Sequence, residues 1–182
     1  SAPDFGGAVR TAEGTTVRLA DVTVSGSIAS FAGGAVHAAG TLFLSNALVI
    51  TSAAGFQGGA LNVAPTGDAR LHNVTLYGNA APSGGAIFVD GDGAGAGGAL
   101  RLSSATLTGN VTSGGGGAVE RDLNGGAGSP VILNSIILGN EGGNANPFNL
   151  NSSYLGETIT DSRSPGGGLG AAPVDVFASV TG

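Results

Sequence analysis

Apolar and polar residues alternate along this chain in short runs, each closed by glycine or a small polar residue. Val17, Leu19, Val22 and Val24 stand apolar among polar neighbours, and the same alternation returns at 42–52, 71–79, 102–110 and 132–140. Period-two alternation bounded by Gly, Asn and Ser predicts β-strands, and no stretch carries the 3.6-residue period of a helix. Two markers keep step along the runs. A Gly-Gly-Ala-aliphatic element opens at Gly6, Gly33, Gly58, Gly84 and Gly116, with spacings of 27, 25, 26 and 32 residues. A second element, aligned on its first aliphatic residue, begins at Leu19, Leu44, Leu71, Leu102 and Ile132, with spacings of 25, 27, 31 and 30.

A fixed period of this size is the mark of a repeat architecture. The glycine content excludes helical repeats, and a propeller blade needs four strands in roughly 40 residues or more. A coil of three short strands and three turns fits the period, and such coils stack into a β-helix filled by aligned side chains. The expected fold is therefore all-β, a parallel β-helix of about 25–31 residues per coil. Its coils are expected to occupy 1–140, with 141–182 an irregular C-terminal cap or assembly segment that ends in a strand.

The alternation also assigns faces. In the Gly-Gly-Ala arm, Val36 and Ala38, Leu61 and Val63, and Ile87 and Val89 share the parity expected to point inward. The opposite parity, a mixed column of Arg10, His37, Asn62, Phe88 and Glu120, is expected to face solvent. In the second arm Asn46, Asn73 and Asn134 align with Asp21 and Ser104, while Asn79, Asn110 and Asn140 align with Ser27 and Ser52. Stacked side-chain amides can donate to the next coil and accept from the previous one, so both sets are predicted to be structural ladders at turns. Phe31 and Phe56 occupy one place in the repeat and are predicted to stack, about 4.8 Å apart. The insertion Asp90 to Gly98 interrupts the register and reads as a surface loop.

The Gly-Gly-Ala-Ile type element paired with an aliphatic-x-x-Asn element resembles the repeats of polymorphic outer-membrane proteins. Asn134-Ser135-Ile136-Ile137-Leu138-Gly139-Asn140 is similar to the rung of bacterial choice-of-anchor Q surface proteins. The resemblance covers roughly Phe5 to Asn140. It implies a right-handed parallel β-helix, exported and often surface-attached. The chain departs from the pattern where the Phe of the Phe-x-x-Asn element is replaced by Leu76, Leu107 or Ile137, and where no anchoring segment follows Gly182.

Composition changes the picture in two respects. With 36 glycines, only 5% aromatic residues and no Cys, Met or Trp, but 41% hydrophobic residues, the interior must be stacked small aliphatics. A net charge of -6, with six arginines and no lysine, argues against a nucleic-acid face, which needs clustered cations. The absence of cysteine removes disulfides and thiolate metal sites. No apolar run has the length of a membrane span. The opening Ser1-Ala2-Pro3-Asp4 has no basic, hydrophobic leader, which fits a mature exported chain as well as a cytosolic one. A secreted or cell-surface location is expected.

Candidate chemistry is sparse. Glycan cleavage needs carboxylates flanking the sugar bond, or a base with calcium, and only Asp90 with Asp92 and Glu120 with Asp122 are clustered. Asp90-Gly91-Asp92-Gly93 offers oxygen ligands on a loop but lacks the further ligands calcium requires. His37 and His72 fall on different arms with no third partner. No catalytic residue, metal or cofactor is expected. Sequons at Asn73-Val74-Thr75, Asn110-Val111-Thr112 and Asn151-Ser152-Ser153 coincide in two cases with ladder positions, where the structural reading takes precedence. The outer column Ser25, Ile50, Tyr77, Thr108, Leu138 is not the regular threonine array of an ice-binding solenoid.

The ends of a β-helix are open strand edges that template pairing with another chain. The alternating strand Val174, Val176, Ala178, Val180 could be donated to a neighbour, and unlike ends stacked head-to-tail make filaments. The expected function is a non-enzymatic extracellular structural or adhesive element that self-associates through its ends. Its other expected partners are surface glycans or host proteins, with no nucleic acid. The competing class is a carbohydrate-binding or carbohydrate-active β-helix of the lyase or hydrolase kind.

Overall fold

A computed structural model describes residues 4–94, 97–122, 126–128 and 130–142, together with the strands Phe148–Asn149, Ser153–Leu155 and Ile159–Thr160. Val174, Val176, Ala178 and Val180 lie outside the described residues. The described residues contain no helix, and hence none long and apolar enough to cross a membrane. Every ladder between named strands is parallel and joins a strand to its counterpart one coil on, so the protein is a parallel β-solenoid.

Three sheets run along the stack. The Gly-Gly-Ala arms form a six-stranded sheet from Val9–Thr11 through Val36–Ala38, Leu61–Val63, Ile87–Val89 and Val119–Arg121 to Phe148–Asn149. Strands of two residues, Ile28–Ala29, Ala53–Ala54, Ala80–Ala81 and Val111–Thr112, form the narrowest sheet. The third sheet holds the second arms. In the second and third coils these arms are single ten-residue strands, Thr41–Ile50 and Asp68–Tyr77. Each bends within its length at an asparagine of positive φ, Asn46 at 50° and Asn73 at 51°. Parallel pairing continues past Asn140, through Val119 with Phe148, Val131 with Ser153 and Ile136 with Ile159.

The register places like residues over like. Leu19, Leu44, Leu71, Leu102 and Ile132 form one continuous column. Val9, Val36, Leu61, Ile87 and Val119 form another. The columns meet in one interior, where Leu42, Leu102, Leu107, Ile87, Ile132 and Ile137 are fully buried. Each buried aliphatic contributes about 25 cal/mol for every Å² of apolar surface it takes out of water, and the stacking lets small side chains do this without a large aromatic in the centre. The two glycines of the repeat have separate tasks. Gly33, Gly58 and Gly84 adopt positive φ, a conformation that costs other residues. Gly34, Gly59 and Gly85 do not, but a Cβ on any of them would strike the glycine carbonyl one coil on.

One expectation about faces is corrected. The column expected in solvent is largely buried: His37 is 6% exposed, Asn62 1% and Phe88 5%. The positive-φ turns fold the preceding segment back over this outer face, and that segment pairs from coil to coil through Phe5, Ala32, Gln57 and Ser83. Its aromatic rings pack on one another, Phe5 edge-on to Phe31 with centroids 5.1 Å apart and Phe31 tilted against Phe56 at 5.2 Å, and Phe5 lies 4.7 Å from the His37 ring. Alternation assigns sides of a strand, but it does not say whether another segment covers the outer one.

Candidate functional site

The two asparagine ladders differ in depth and direction. Asn79 and Asn110 are fully buried. The Asn79 side chain accepts from the Ser52 N–H at 2.9 Å and donates to Asn110 Oδ1 at 3.0 Å and to the Val49 carbonyl at 3.1 Å. Asn110 repeats this one coil on, accepting from the Asn79 N–H at 3.0 Å and donating to Asn140 Oδ1 at 2.8 Å and the Leu76 carbonyl at 3.0 Å. Asn140 in turn donates to the Leu107 carbonyl at 2.9 Å. The amides thus supply partners to turn backbone that strand pairing leaves open. The other set is exposed and runs the opposite way: Asn73 donates to Asn46 Oδ1 at 2.9 Å, and Asn46 donates to Asp21 Oδ1 at 3.1 Å. Asp21, Asn46, Asn73, Ser104 and Asn134 all have positive φ, which suits Asn and Asp better than other non-glycine residues. These residues shape the corner of the coil.

The outer face of the long-strand sheet gathers charged, aromatic and hydroxyl side chains in adjoining columns. Arg18, Phe43, Arg70 and Arg101 follow one another in register, one position before each core leucine of the second arm. The Arg18 guanidinium lies over the Phe43 ring, 4.4 Å from its centroid, and that of Arg70 approaches the same ring at 5.5 Å. Aromatic stacking of this kind holds a guanidinium plane while leaving its N–H edges free. Arg70 is also tied to Asp68, Nη2 to Oδ2 at 2.7 Å with Nε at 3.1 Å, which raises its pKa further. Among the described residues Arg18 and Arg101 make no ion pair.

Beside this stripe, on the same face, runs the column Ala20, Ser45, His72, Ser103 and Leu133. His72 Nδ1 and Ser103 Oγ are 3.0 Å apart. The two columns line a shallow open groove of about 500 Å³ that crosses the coils. No carboxylate is among the described residues that line it, and Asp68, two residues before Arg70, is paired with that arginine. The groove presents cations, hydroxyls and an imidazole on a rigid sheet, which suits binding an anion. From the sequence alone the six arginines were weighed only through the total charge. Reading the residue before each aligned Leu19, Leu44, Leu71 and Leu102 would have placed three of the six in one line.

The clustered carboxylates have other tasks. Glu120 Oε2 accepts from the Gly84 N–H at 2.7 Å and the Gly116 N–H at 3.2 Å, clasping the turns of two coils. Partial burial raises the Glu120 pKa above the usual carboxylate value against the pull of those N–H groups. Burial likewise raises that of Asp90, which accepts from the Gly91 N–H at 3.1 Å, and Asp92 accepts from the Ala94 N–H at 2.7 Å. Among the described residues no three of His, Cys, Asp and Glu come together as metal ligands do. Burial lowers the His37 pKa, and among the described residues His37 Nδ1 and Asn62 Nδ2 have no hydrogen-bond partner. Of the sequons, Asn73 is exposed and Asn110 is buried, while Asn151 lies outside the described residues. Comparison with protein-family models, with curated proteins and with solved structures finds no match to this chain.

Proposed function

We propose that this protein is a non-enzymatic, exported adhesive β-helix, a rigid rod whose long-strand sheet binds an anionic ligand. The observation that carries this reading is the stripe Arg18, Phe43, Arg70, Arg101 on one outer face, with two guanidiniums that make no ion pair among the described residues, on a chain whose net charge is -6. Cations concentrated against the overall charge have a binding rationale that solubility does not supply. The resemblance of the repeats to polymorphic outer-membrane proteins supports the exported and adhesive parts.

The test is adherence of purified protein to surfaces coated with charged or neutral glycans, with new reducing ends assayed in the same wells. Salt-sensitive adherence to the charged surface, reduced in Arg18→Ser/Arg101→Ser and with no reducing ends released, supports the reading. Released ends would favour the carbohydrate-active alternative.

Self-association through the ends is a second part of the proposal. Val9, Val17, Leu19, Val22 and Val24 of the first coil are only partly buried, whereas their counterparts Val36, Leu42, Leu44, Ala47 and Val49 in the next coil are buried. A further parallel coil, from a second copy, would cover them. Filaments in negative-stain images support this part, and single particles at high protein concentration count against it.

A further inference from the structure

We infer that the ligand of this face is a linear acidic polysaccharide bearing carboxylates, a polyuronate, laid across the coils along the arginine stripe. The inference rests on the adhesive reading above and makes its ligand specific. Parallel strands are spaced about 4.8 Å apart, so Arg18 and Arg101, three coils apart in register, stand about 14 Å from each other along the stack. A single small anion reaches one of them. A chain with carboxylates at regular intervals reaches both.

The chemistry between the two cations suits sugar. Ser45, His72 and Ser103 offer hydrogen-bonding groups for ring hydroxyls, and the side chain of Leu133 extends the groove with apolar surface for C–H faces. The Arg18 guanidinium, over the Phe43 ring and exposed, has the fork geometry to meet a carboxylate as a bidentate donor. Arg70, already paired with Asp68, supports Phe43 from the other side more than it contributes charge. Other polyanions fit less well. Nucleic-acid sites that bind firmly neutralise roughly 6–10 phosphates, and this face offers two unpaired guanidiniums on an acidic protein. A protein partner would need on the order of 1,000 Å² of interface around deeply buried anchors, and this groove is shallow and open, with a volume of about 500 Å³.

The experiment is titration calorimetry of the whole chain with galacturonate oligomers of one, three and six sugars, with methyl-esterified hexamer, dextran sulfate and single-stranded DNA as comparisons. The expected result is binding of the hexamer, at least tenfold weaker binding of the monomer, and loss of binding on esterification. Arg18→Ser and Arg101→Ser are each expected to weaken the hexamer about tenfold, and 0.5 M salt to weaken it further. Both side chains are exposed, so circular dichroism should report unchanged folding, and an arginine at another exposed site, Arg10→Ser, serves as the control. Equal binding of the methyl ester, length-independent affinity, or indifference to both arginine substitutions would overturn the inference. Tighter binding of dextran sulfate or DNA than of hexamer would overturn it while leaving the adhesive reading in place. Binding of none of these polymers would remove both.

Discussion

Asn110→Ala tests whether buried side-chain amides hold the coils together. Asn110 is fully buried, and its side chain accepts from the Asn79 N–H and Nδ2 while donating to the Leu76 carbonyl and Asn140 Oδ1. Truncation leaves the Asn79 N–H without its acceptor, and the Leu76 carbonyl loses a donor. Asn79 Nδ2 keeps the Val49 carbonyl, and Asn140 Oδ1 keeps the Asn110 N–H. A buried group left unpaired costs about 1–3 kcal/mol, so two such groups put the loss at roughly 2–6 kcal/mol. That is a large share of the stability of an ordinary domain. Asn73→Gly is the matched control. It removes one exposed ladder bond to Asn46, where water takes over, and glycine accepts the φ of 51°, so its effect should stay within about 0.5 kcal/mol. Urea denaturation followed by circular dichroism measures both. If Asn110→Ala loses less than about 1 kcal/mol, or no more than Asn73→Gly, the buried amides are not what joins the turns.

Gly59→Ala should cost roughly 3 kcal/mol or prevent folding, because its methyl meets the Gly85 carbonyl and the Ala80 backbone. Gly93→Ala, at φ 74° but with nothing within 4 Å of the added methyl, should lose only about 1 kcal/mol, and thermal melts of the two variants read the difference. His37 is held below the usual imidazole pKa by burial, so the unfolded chain binds the extra proton. The wild type should therefore lose stability relative to His37→Asn as pH falls below about 6.5, and parallel urea curves at pH 7.5 and 5.0 would show no change in that gap if the idea is wrong. Glu120 has the opposite sign. Its raised pKa means the folded state holds the proton more tightly, so relative stability is gained as pH falls from neutral towards about 4.5. Glu120→Gln, which keeps an acceptor for the Gly84 N–H, should be more stable than wild type at pH 7, with the advantage shrinking at pH 4.5; an advantage that grows on acidification would refute the assignment.

Along a parallel solenoid the nearest neighbour of a residue is its counterpart one coil on, so aligning the repeats of this sequence is close to writing its contact map. That is why the period, the inward parity of Val36, Leu61 and Ile87, and the stacking of Asn79 on Asn110 were all legible before any coordinates. The arginine stripe was equally present in the alignment, one residue before each core leucine, but charge taken as a total hid it. Three things required the folded chain. The burial of His37, Asn62 and Phe88 depends on where the glycine turns send the preceding segment, and the local pattern of a strand carries no information about what lies over its outer face. The opposite directions of the two ladders depend on whether each amide faces the interior or the corner. The pairing of Arg70 with Asp68, which leaves Arg18 and Arg101 as the unpaired cations of the groove, is set by distances of a few ångströms between long side chains, a scale that register alone does not fix.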